Sequence, residues 1–393
     1  MIKTDKQKIE EILTRGVEEV IERDNLEKRL LSGKQLRIKF GIDPTAPDLH
    51  LGHSVVLRKL RQFQDLGHKV ILLIGDFTAT IGDPSGKSST RPALTEKEIK
   101  KNMKDYIKQA GKILNIKKTE VTYNTRWFGK MKMKDFYSIA SMESVGELMT
   151  RSMFRERQQK GELLTLREFT YPLLQGYDSV ELKADVELGG NDQIFNMLHG
   201  RKVQKRFKMP EQDVMTVPLL EGTDGVKKMS KSIGNYIALN ELPKDMYGKI
   251  MAIPDSLILK YVELLTDIDI KEIKQISNPR DQKAYLAKEI VRMYHGKKGA
   301  QKAEDEFNKT FRDKEIPTDI EIFKTDKKTY PILDLLFDSG LAESKNDAKR
   351  VIEGGGVEID NEKITDWRKE IEIKDNITIR FGKRKFIKIH LVK

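Results

Sequence analysis

The chain has 393 residues, enough for two or three domains with a substantial buried core. Its 73 lysines and arginines against 61 acidic residues give a formal net charge of +12, which favours a polyanionic partner such as nucleic acid, although a basic proteome produces the same bias. The absence of cysteine excludes disulfides and cysteine-based zinc sites, and six scattered histidines disfavour a dedicated transition-metal site.

The N-terminal segment carries charges throughout. It has no apolar signal core, and no later window approaches the length and hydrophobicity of a membrane span. We therefore expect a cytoplasmic protein without a membrane partner. Apolar residues at helical spacing over residues 5–24 predict a helix, which Leu26–Leu31 extends.

A strand, a turn and a helix follow in residues 36–53. Branched and aromatic residues predict a short buried strand over Leu36–Ile42, which Asp43-Pro44 ends. A helix is expected from about Asp48, as N-cap, with His50, Gly52 and His53 in its first turn. Helix N-termini attract phosphate, so this turn is a candidate phosphate site. Taken alone, two histidines at such a corner are more often simply solvated.

Strands and helices then alternate up to residue 242. Strands are predicted at Lys69–Asp76, Glu120–Tyr123, Asp185–Leu188 and Val214–Leu220, and helices at residues 95–114, 133–160, 167–183 and 191–206. This alternation predicts an α/β domain over residues 1–242, a doubly wound (Rossmann-like) parallel sheet with a helical insertion around residues 125–183. Such sheets bind ligands beyond the carboxyl ends of their strands.

The remaining chain divides into three parts. Residues 243–313 have helical spacing throughout, and the polar stretch 314–330, with Pro317, is the expected linker. Residues 331–393 predict a small α+β domain, with helices at Ile332–Asp338 and Lys345–Glu353 and strands at Val357–Ile359, Asn376–Phe381 and Phe386–Val392.

Two loops have the composition of phosphate-binding segments. Gly82 and Gly86 are separated by three residues, whereas a Walker A loop needs four, so that class of NTPase is rejected. No Gly-x-Gly-x-x-Gly follows a strand, which disfavours a nicotinamide or flavin enzyme. In the second loop, Lys228 and Lys231 lie between the possible hinges Gly225 and Gly234. That loop alone is equally compatible with a solvated basic segment.

The two motifs together are more specific than either alone. The sequence His50-Leu-Gly-His53, followed much later by Lys228-Met-Ser-Lys-Ser232, resembles the two signatures of class I aminoacyl-tRNA synthetases. Residues from about 30 to 393 resemble the bacterial-type tyrosyl-tRNA synthetases, including a C-terminal module similar to the S-four RNA-binding fold. The resemblance implies that residues 243–313 face tRNA, that residues 331–393 bind RNA, and that the protein is a homodimer, for which the Met- and aromatic-rich stretch 130–160 is suited.

The family's reaction is thereby also implied. Tyrosine would attack the ATP α-phosphate to give tyrosyl-adenylate and pyrophosphate, and the terminal ribose of the cognate tRNA would then take the tyrosine. ATP, accompanied by Mg²⁺, is a substrate in this scheme, and no protein-bound metal is expected.

The resemblance assigns a role to each matching residue. Catalysis falls to His50, His53, Lys228 and Lys231; ATP binding to those four with Gly41, Asp43, Gly52, Gly190 and Asp192; tyrosine binding to Asp83, Tyr171, Gln175, Asp178 and Gln193; and contacts with tRNA or phosphate to Lys87 and Arg91.

Spacing gives the amino-acid site some independent support. Tyr171, Gln175 and Asp178 fall at i, i+4 and i+7, so they share one helical face, which would otherwise be the polar side of an amphipathic helix. Lys39 departs from the family, many members of which carry there a tyrosine that touches the substrate phenol. Alternatives are a tryptophanyl synthetase, a small nucleotidyltransferase and an RNA-binding protein on an inactive synthetase scaffold.

Overall fold

The computed structural model of the chain describes residues 2–85, 94–311, 321–360, 362–382 and 385–392. The chain divides into two compact units, Met1–Ala303 and Glu304–Lys393. Within the described ranges, no helix is both long enough and apolar enough to cross a membrane.

The first unit contains a six-stranded sheet. Its strands are β1 (Glu19–Ile21), β2 (Arg37–Ile42), β3 (Lys69–Ile74), β4 (Glu120–Tyr123), β5 (Val186–Gly190) and β6 (Asp213–Val217). Their spatial order is β1-β6-β5-β2-β3-β4, and all neighbours are parallel except β1, which runs antiparallel to β6. The predicted doubly wound sheet is confirmed, and its five parallel strands are the five that the alternation predicted.

The order of the strands reverses between β2 and β5. From β2 the chain proceeds outward through β3 and β4, then returns to place β5 on the other side of β2, with Lys39 and Glu187 as partners in the parallel register. The loops that follow β2 and β5 therefore diverge to opposite faces and leave a crevice between them. A ligand site in a sheet of this kind is expected at that crevice.

Sixteen α-helices begin within the described part of the first unit. They are α1 (Lys6–Thr14), α2 (Arg23–Leu31), α3 (Leu51–Asp65), α4 (Thr78–Ile81), α5 (Glu96–Met103), α6 (Tyr106–Ala110), α7 (Thr125–Phe128), α8 (Met133–Ala140), α9 (Val145–Leu148), α10 (Ser152–Gln159), α11 (Leu166–Glu181), α12 (Ile194–Arg206), α13 (Pro243–Met251), α14 (Ile258–Leu265), α15 (Ile270–Gln275) and α16 (Pro279–Phe311). The last of these is interrupted at Gly296, whose φ is +76°.

Helices α11 and α12 lie very close together beside β5. A Cβ on Gly176 would fall 2.9 Å from Val203 Cγ2 and 3.3 Å from Gly200 Cα, so only glycine allows this approach. The close crossing places the polar face of α11 directly against the central strands of the sheet.

The N-terminal helix is shorter than predicted. Gly16 has φ +63° and turns the chain after α1, so the expected helix over residues 5–24 ends at Thr14. Residues 19–21 pair with β6 as an edge strand instead. The branched residues Val20 and Ile21 favour a strand over a helix when a pairing strand is available. The spacing of apolar residues does not show that such a partner is present. The long helices predicted at 95–114 and 133–160 are likewise divided into shorter ones.

The second unit is a small α+β domain. Its elements are α17 (Ile332–Asp338), α18 (Lys345–Glu353), β7 (Glu321–Thr325), β8 (Thr329–Pro331), β9 (Val357–Ile359), β10 (Glu362–Ile364), β11 (Glu370–Glu372), β12 (Thr378–Phe381) and β13 (Lys385–Leu391). Five strands form a sheet in the order β10-β9-β12-β13-β7, and β8 pairs with β11. Apolar residues of the two helices, such as Leu335 and Ile352, pack on Ile379 and Ile389 of the sheet.

One boundary of this unit differs from the sequence-based expectation. Residues 321–325, placed in the expected linker 314–330, form β7 and pair in parallel with β13. Residues 314–320 lie outside the described ranges. The stretch 321–325 is polar and lacks strong periodicity because only one of its side chains, that of Thr325, is buried.

Candidate active site

A cavity of about 960 Å³ opens at the crevice between the carboxyl ends of β2 and β5. Its lining includes fifteen residues singled out from the sequence: Lys39, Gly41, Asp43, His50, Gly52, His53, Asp83, Tyr171, Gln175, Asp178, Gly190, Asp192, Gln193, Lys228 and Lys231. The remaining two, Lys87 and Arg91, lie outside the described residues. A volume of this order accommodates a nucleotide together with an amino acid.

The histidine motif forms the N-terminus of α3. The helix begins at Leu51 with His50 as its N-cap, so the expectation that Asp48 caps it is wrong. The backbone N–H of Gly52 donates to His50 Nδ1 (3.2 Å), and the N–H of His50 donates to His53 Nδ1 (3.1 Å). Imidazole nitrogens thus replace the usual carboxylate or hydroxyl cap. A Cβ on Gly52 would lie 3.0 Å from the His50 ring, which explains the glycine.

Both imidazoles are neutral at physiological pH. Burial, reinforced by His53 and Lys231, lowers the pKa of His50 to about 2, and burial with Lys231 lowers the pKa of His53 to about 4. Because each Nδ1 accepts a backbone hydrogen bond, each ring carries its proton on Nε2. The pair therefore offers two N–H donors to a ligand in the cavity and no positive charge.

The two lysines of the second motif, Lys228 and Lys231, form ion pairs with carboxylates that line the cavity. Lys228 Nζ lies 2.8 Å from Asp192 Oδ2, and Lys231 Nζ lies 3.1 Å from Asp48 Oδ2. Asp48 therefore binds a lysine of the second motif. Both ion pairs are partly exposed, so each is weak and exchangeable for an anionic ligand.

Asn235 holds the lysine loop in shape. Its Oδ1 accepts from the N–H of Ser230 (2.8 Å), and its Nδ2 donates to Asp224 Oδ2 (2.9 Å). The chain just beyond the loop is hydrogen-bonded to the start of α3, from Leu51 N to Ile237 O and from Leu239 N to Leu49 O, each 2.9 Å. The two sequence motifs are thus joined by backbone hydrogen bonds.

Asp178 lies buried on α11 and is 3% exposed. Trp127 Nε1 donates to its Oδ1 (2.8 Å), and Asn124 Nδ2 lies 3.4 Å from its Oδ2. Burial raises the pKa of Asp178 to about 7, while Lys39 and these two donors oppose the rise. Sequence reasoning missed Asn124 and Trp127, and the only available signal was that the chain has just two tryptophans.

Two further hydrogen-bonded pairs line the cavity. The Tyr171 hydroxyl donates to Asp43 Oδ2 (2.8 Å), which links two residues that the family resemblance assigned to different substrates. Gln193 Nε2 donates to Asp83 Oδ2 (2.8 Å). Asn196, which sequence reasoning missed, reaches the other oxygen of Asp83 at 3.4 Å.

Lys39 is completely buried, as is its partner Glu187, which sequence reasoning missed. Lys39 Nζ lies 2.9 Å from Glu187 Oε1. A signal was present, since opposite charges in two otherwise apolar central strands are expected to pair. Among the residues that the structure describes, no group of three or more histidine or acidic side chains is arranged to hold a metal ion.

Comparison with known proteins now defines the class. A family model described as tRNA synthetases class I (W and Y) matches residues 31–312. A second model, described as Tyrosine--tRNA ligase SYY-like C-terminal domain, matches residues 308–389. Together they match residues 31–389, in both structural units.

Individual relatives show which amino acid the matching synthetases are named for. Tyrosine--tRNA ligases of Thermotoga maritima and Carboxydothermus hydrogenoformans are 49% and 47% identical to the chain, of which each alignment covers 96%, with 96% and 97% of the relative covered. The crystal structure of a C-terminally truncated mitochondrial tyrosyl-tRNA synthetase of Aspergillus nidulans matches with a TM-score of 0.67 at 25% identity, over 78% of this chain and 95% of that one. The chain belongs to the tyrosine--tRNA ligases.

Proposed function

We propose that the cavity is the place where this chain activates tyrosine with ATP, and from which the tyrosyl group passes to the terminal ribose of its tRNA. The observation that carries the proposal is the buried carboxylate of Asp178, held by Trp127 and Asn124 at the end of a polar helical face. The phenol hydroxyl of tyrosine can donate a hydrogen bond to this carboxylate. Phenylalanine has no hydroxyl, so the buried carboxylate would lack that hydrogen bond.

Tyrosine would lie along α11. Its phenol meets Asp178, and its ammonium meets Gln175, Tyr171 and Asp83, as in the family. The Gln193–Asp83 and Tyr171–Asp43 hydrogen bonds support this placement, because they orient polar atoms before the substrate arrives. The tyrosine carboxylate, already ionised at neutral pH, then needs only alignment with the α-phosphate and no general base.

ATP would occupy the region between the histidines and the lysine loop, with Mg²⁺ accompanying it as part of the substrate. Asp192 accepts from the ribose, which releases Lys228 to the phosphates, and Lys231 exchanges Asp48 for phosphate in the same way. Gly41, Gly52 and Gly190 let the nucleotide approach the backbone. The Nε2–H donors of His50 and His53 stabilise the charge that develops on the phosphates during adenylate formation.

The tRNA would contact residues beyond this cavity. We assign residues 1–242 to catalysis, 243–313 to the tRNA-facing helical region, and the C-terminal unit to RNA binding, with Lys87 and Arg91 near the phosphates and the tRNA end. On α18, Arg350 pairs with Asp347 (2.7 Å), but its side chain is 81% exposed. Phosphates displace exposed partners of this kind readily.

ATP–pyrophosphate exchange with a panel of amino acids tests the proposal. Tyrosine should be the amino acid activated, and Asp178→Ala should reduce its kcat/KM by at least about a hundredfold, because a hydrogen bond to a buried charged acceptor is lost. Exposed Asp65→Ala is the control and should behave as the parent. Unchanged exchange kinetics in Asp178→Ala would overturn the tyrosine assignment.

We also propose a homodimer. In the stretch 130–160, Met133 and Tyr137 are 68% and 65% exposed in the single chain, and Val145 lies on the same insertion at 59%. Large apolar side chains exposed in one segment are typical of an interface. Sedimentation at micromolar concentration should show a dimer that Tyr137→Lys weakens and Leu242→Lys, outside the stretch, does not. A monomeric parent would refute the proposal.

A further inference from the structure

Lys39 and Glu187 form a buried ion pair in the central strands of the sheet, and both residues line the cavity. They are register partners on β2 and β5, and their side chains are 0% and 2% exposed. An ammonium and a carboxylate removed from water are tolerated only when they are paired and when their other hydrogen-bonding positions are filled. Those other positions are filled by α11.

All three ammonium protons of Lys39 have acceptors. One faces Glu187 Oε1 (2.9 Å), one is donated to the carbonyl oxygen of Gln175 (3.0 Å), and one to Ser179 Oγ (2.8 Å). Glu187 in turn accepts from Gln175 Nε2 (3.1 Å), from Ser179 Oγ (3.2 Å) and from Gln212. The ion pair therefore binds Gln175 twice: Lys39 bonds its backbone carbonyl, and Glu187 bonds its side-chain amide.

This arrangement decides which way the Gln175 amide faces. A carboxylate accepts hydrogen bonds only, so the amide must direct Nε2 towards Glu187 and its oxygen elsewhere. Gln175 lines the cavity, so its Oε1 is the atom left to meet a ligand there. An oxygen in that position accepts from an ammonium group, whereas the opposite orientation would present N–H donors to a cation.

We propose that Lys39 is a positioning residue for tyrosine, acting with Glu187 to hold the Gln175 amide with its oxygen towards the substrate ammonium. The proposal rests on the placement of tyrosine along α11 given above. Lys39 takes the place of the tyrosine found in many family members, but its ammonium group is bonded to Glu187, Gln175 and Ser179, so it acts through Gln175.

The positive charge of Lys39 also acts on the phenol end. It lowers the pKa of Asp178 and so opposes the effect of burial on that carboxylate. One buried cation thus supports both ends of the tyrosine site, while the nucleotide end of the cavity has its own lysines, Lys228 and Lys231.

The first test compares KM values in ATP–pyrophosphate exchange. Lys39→Met should raise the KM for tyrosine roughly ten- to a hundredfold, the range for one hydrogen bond to a charged group, and leave the KM for ATP unchanged. Lys59→Met is the matched control. Lys59 is also a buried lysine of this unit, but its Nζ donates to the carbonyls of Ile12 (2.9 Å) and Arg15 (2.7 Å), and none of these three residues lines the cavity. The Lys59→Met variant should be less stable than the parent, with unchanged KM values for tyrosine and ATP.

A second variant separates positioning from folding. Lys39→Met combined with Glu187→Met removes both charges, so the melting temperature should recover relative to Lys39→Met. The tyrosine KM should stay raised, because the double variant lacks both the carboxylate that holds Gln175 Nε2 and the ammonium group that holds the Gln175 carbonyl. Recovery of the tyrosine KM together with stability would show a purely structural pair and overturn the proposal.

Asp178→Ala distinguishes failure of this inference from failure of the proposed site. If Asp178→Ala abolishes tyrosine activation while the double methionine variant keeps the parental tyrosine KM, the role of Lys39 is refuted and the site stands. If Asp178→Ala retains activation, the placement of tyrosine is wrong, and the Lys39 proposal fails with it.

Discussion

The carboxylate of Asp178 should destabilise the unliganded protein at neutral and alkaline pH. Burial raises the pKa of Asp178 to about 7 from an ordinary value of 3.8. The unfolded chain thus releases this proton near pH 4, and the folded chain keeps it until about pH 7. Between these values the folded state binds more protons, so stability falls as pH rises and is flat above about pH 7. The separation, about 3 pH units, corresponds to about 4 kcal/mol.

Asp178→Asn removes this cost because an amide does not titrate. The asparagine Oδ1 still accepts from Trp127, so the substitution preserves that hydrogen bond. The variant should be more stable than the parent at pH 8, and about 3 kcal/mol of that difference should disappear at pH 5, where the parental carboxylate is protonated in the folded state. Tyrosine activation should nonetheless be lost.

Urea unfolding of the unliganded protein, followed by circular dichroism at pH 8 and pH 5, measures both differences. Asp65→Asn, which removes a carboxylate whose side chain is 58% exposed, is the control. The same pH dependence of stability in Asp178→Asn and in the parent would refute the argument, since the folded chain would then not bury an ionising carboxylate at this position.

Two predictions concern the lysine loop and the C-terminal unit. Lys231→Ala should slow adenylate formation by roughly a hundredfold or more with tyrosine affinity unchanged, because the lysine acts on phosphate charge in the transition state; exposed Lys227→Ala is the control, and lost tyrosine binding would instead indicate a structural lysine. A chain ended after residue 312 should retain pyrophosphate exchange while tRNA charging falls sharply. The cut avoids residues 321–325, which are strand β7 of the C-terminal sheet. Normal tRNA charging by the shortened chain would end the RNA-binding proposal, and a parallel loss of both activities would indicate a folding defect.

Most of the catalytic fold was accessible from the sequence alone. Strands β3, β5 and β6 are almost wholly buried, β2 is buried at its centre, and edge strand β4 is partly buried. Their branched and apolar residues mark them as strands, and the alternation with helices predicts their parallel arrangement. The helices α17 and α18 were predicted residue for residue, because Pro331 precedes the apolar spacing of α17 and the capping Ser344 precedes that of α18. Edge strand β1 and strand β7 were missed, because each is specified by a partner distant in the chain. The three-residue strands β8, β10 and β11 of the C-terminal unit were missed as well.

The site divides in the same way. The chemical groups of the two motifs and of the α11 face could be identified without the structure, since their residue types and spacing carry the class signature. The protonation states and hydrogen-bond partners of those groups depend on the fold. The imidazoles are neutral because the fold buries them beside Lys231, the Asp178 carboxylate is held by side chains more than fifty residues away in sequence, and Lys39 meets Glu187 because the strand order places β2 beside β5. Burial and distant contacts set these properties, and neither is encoded in local sequence.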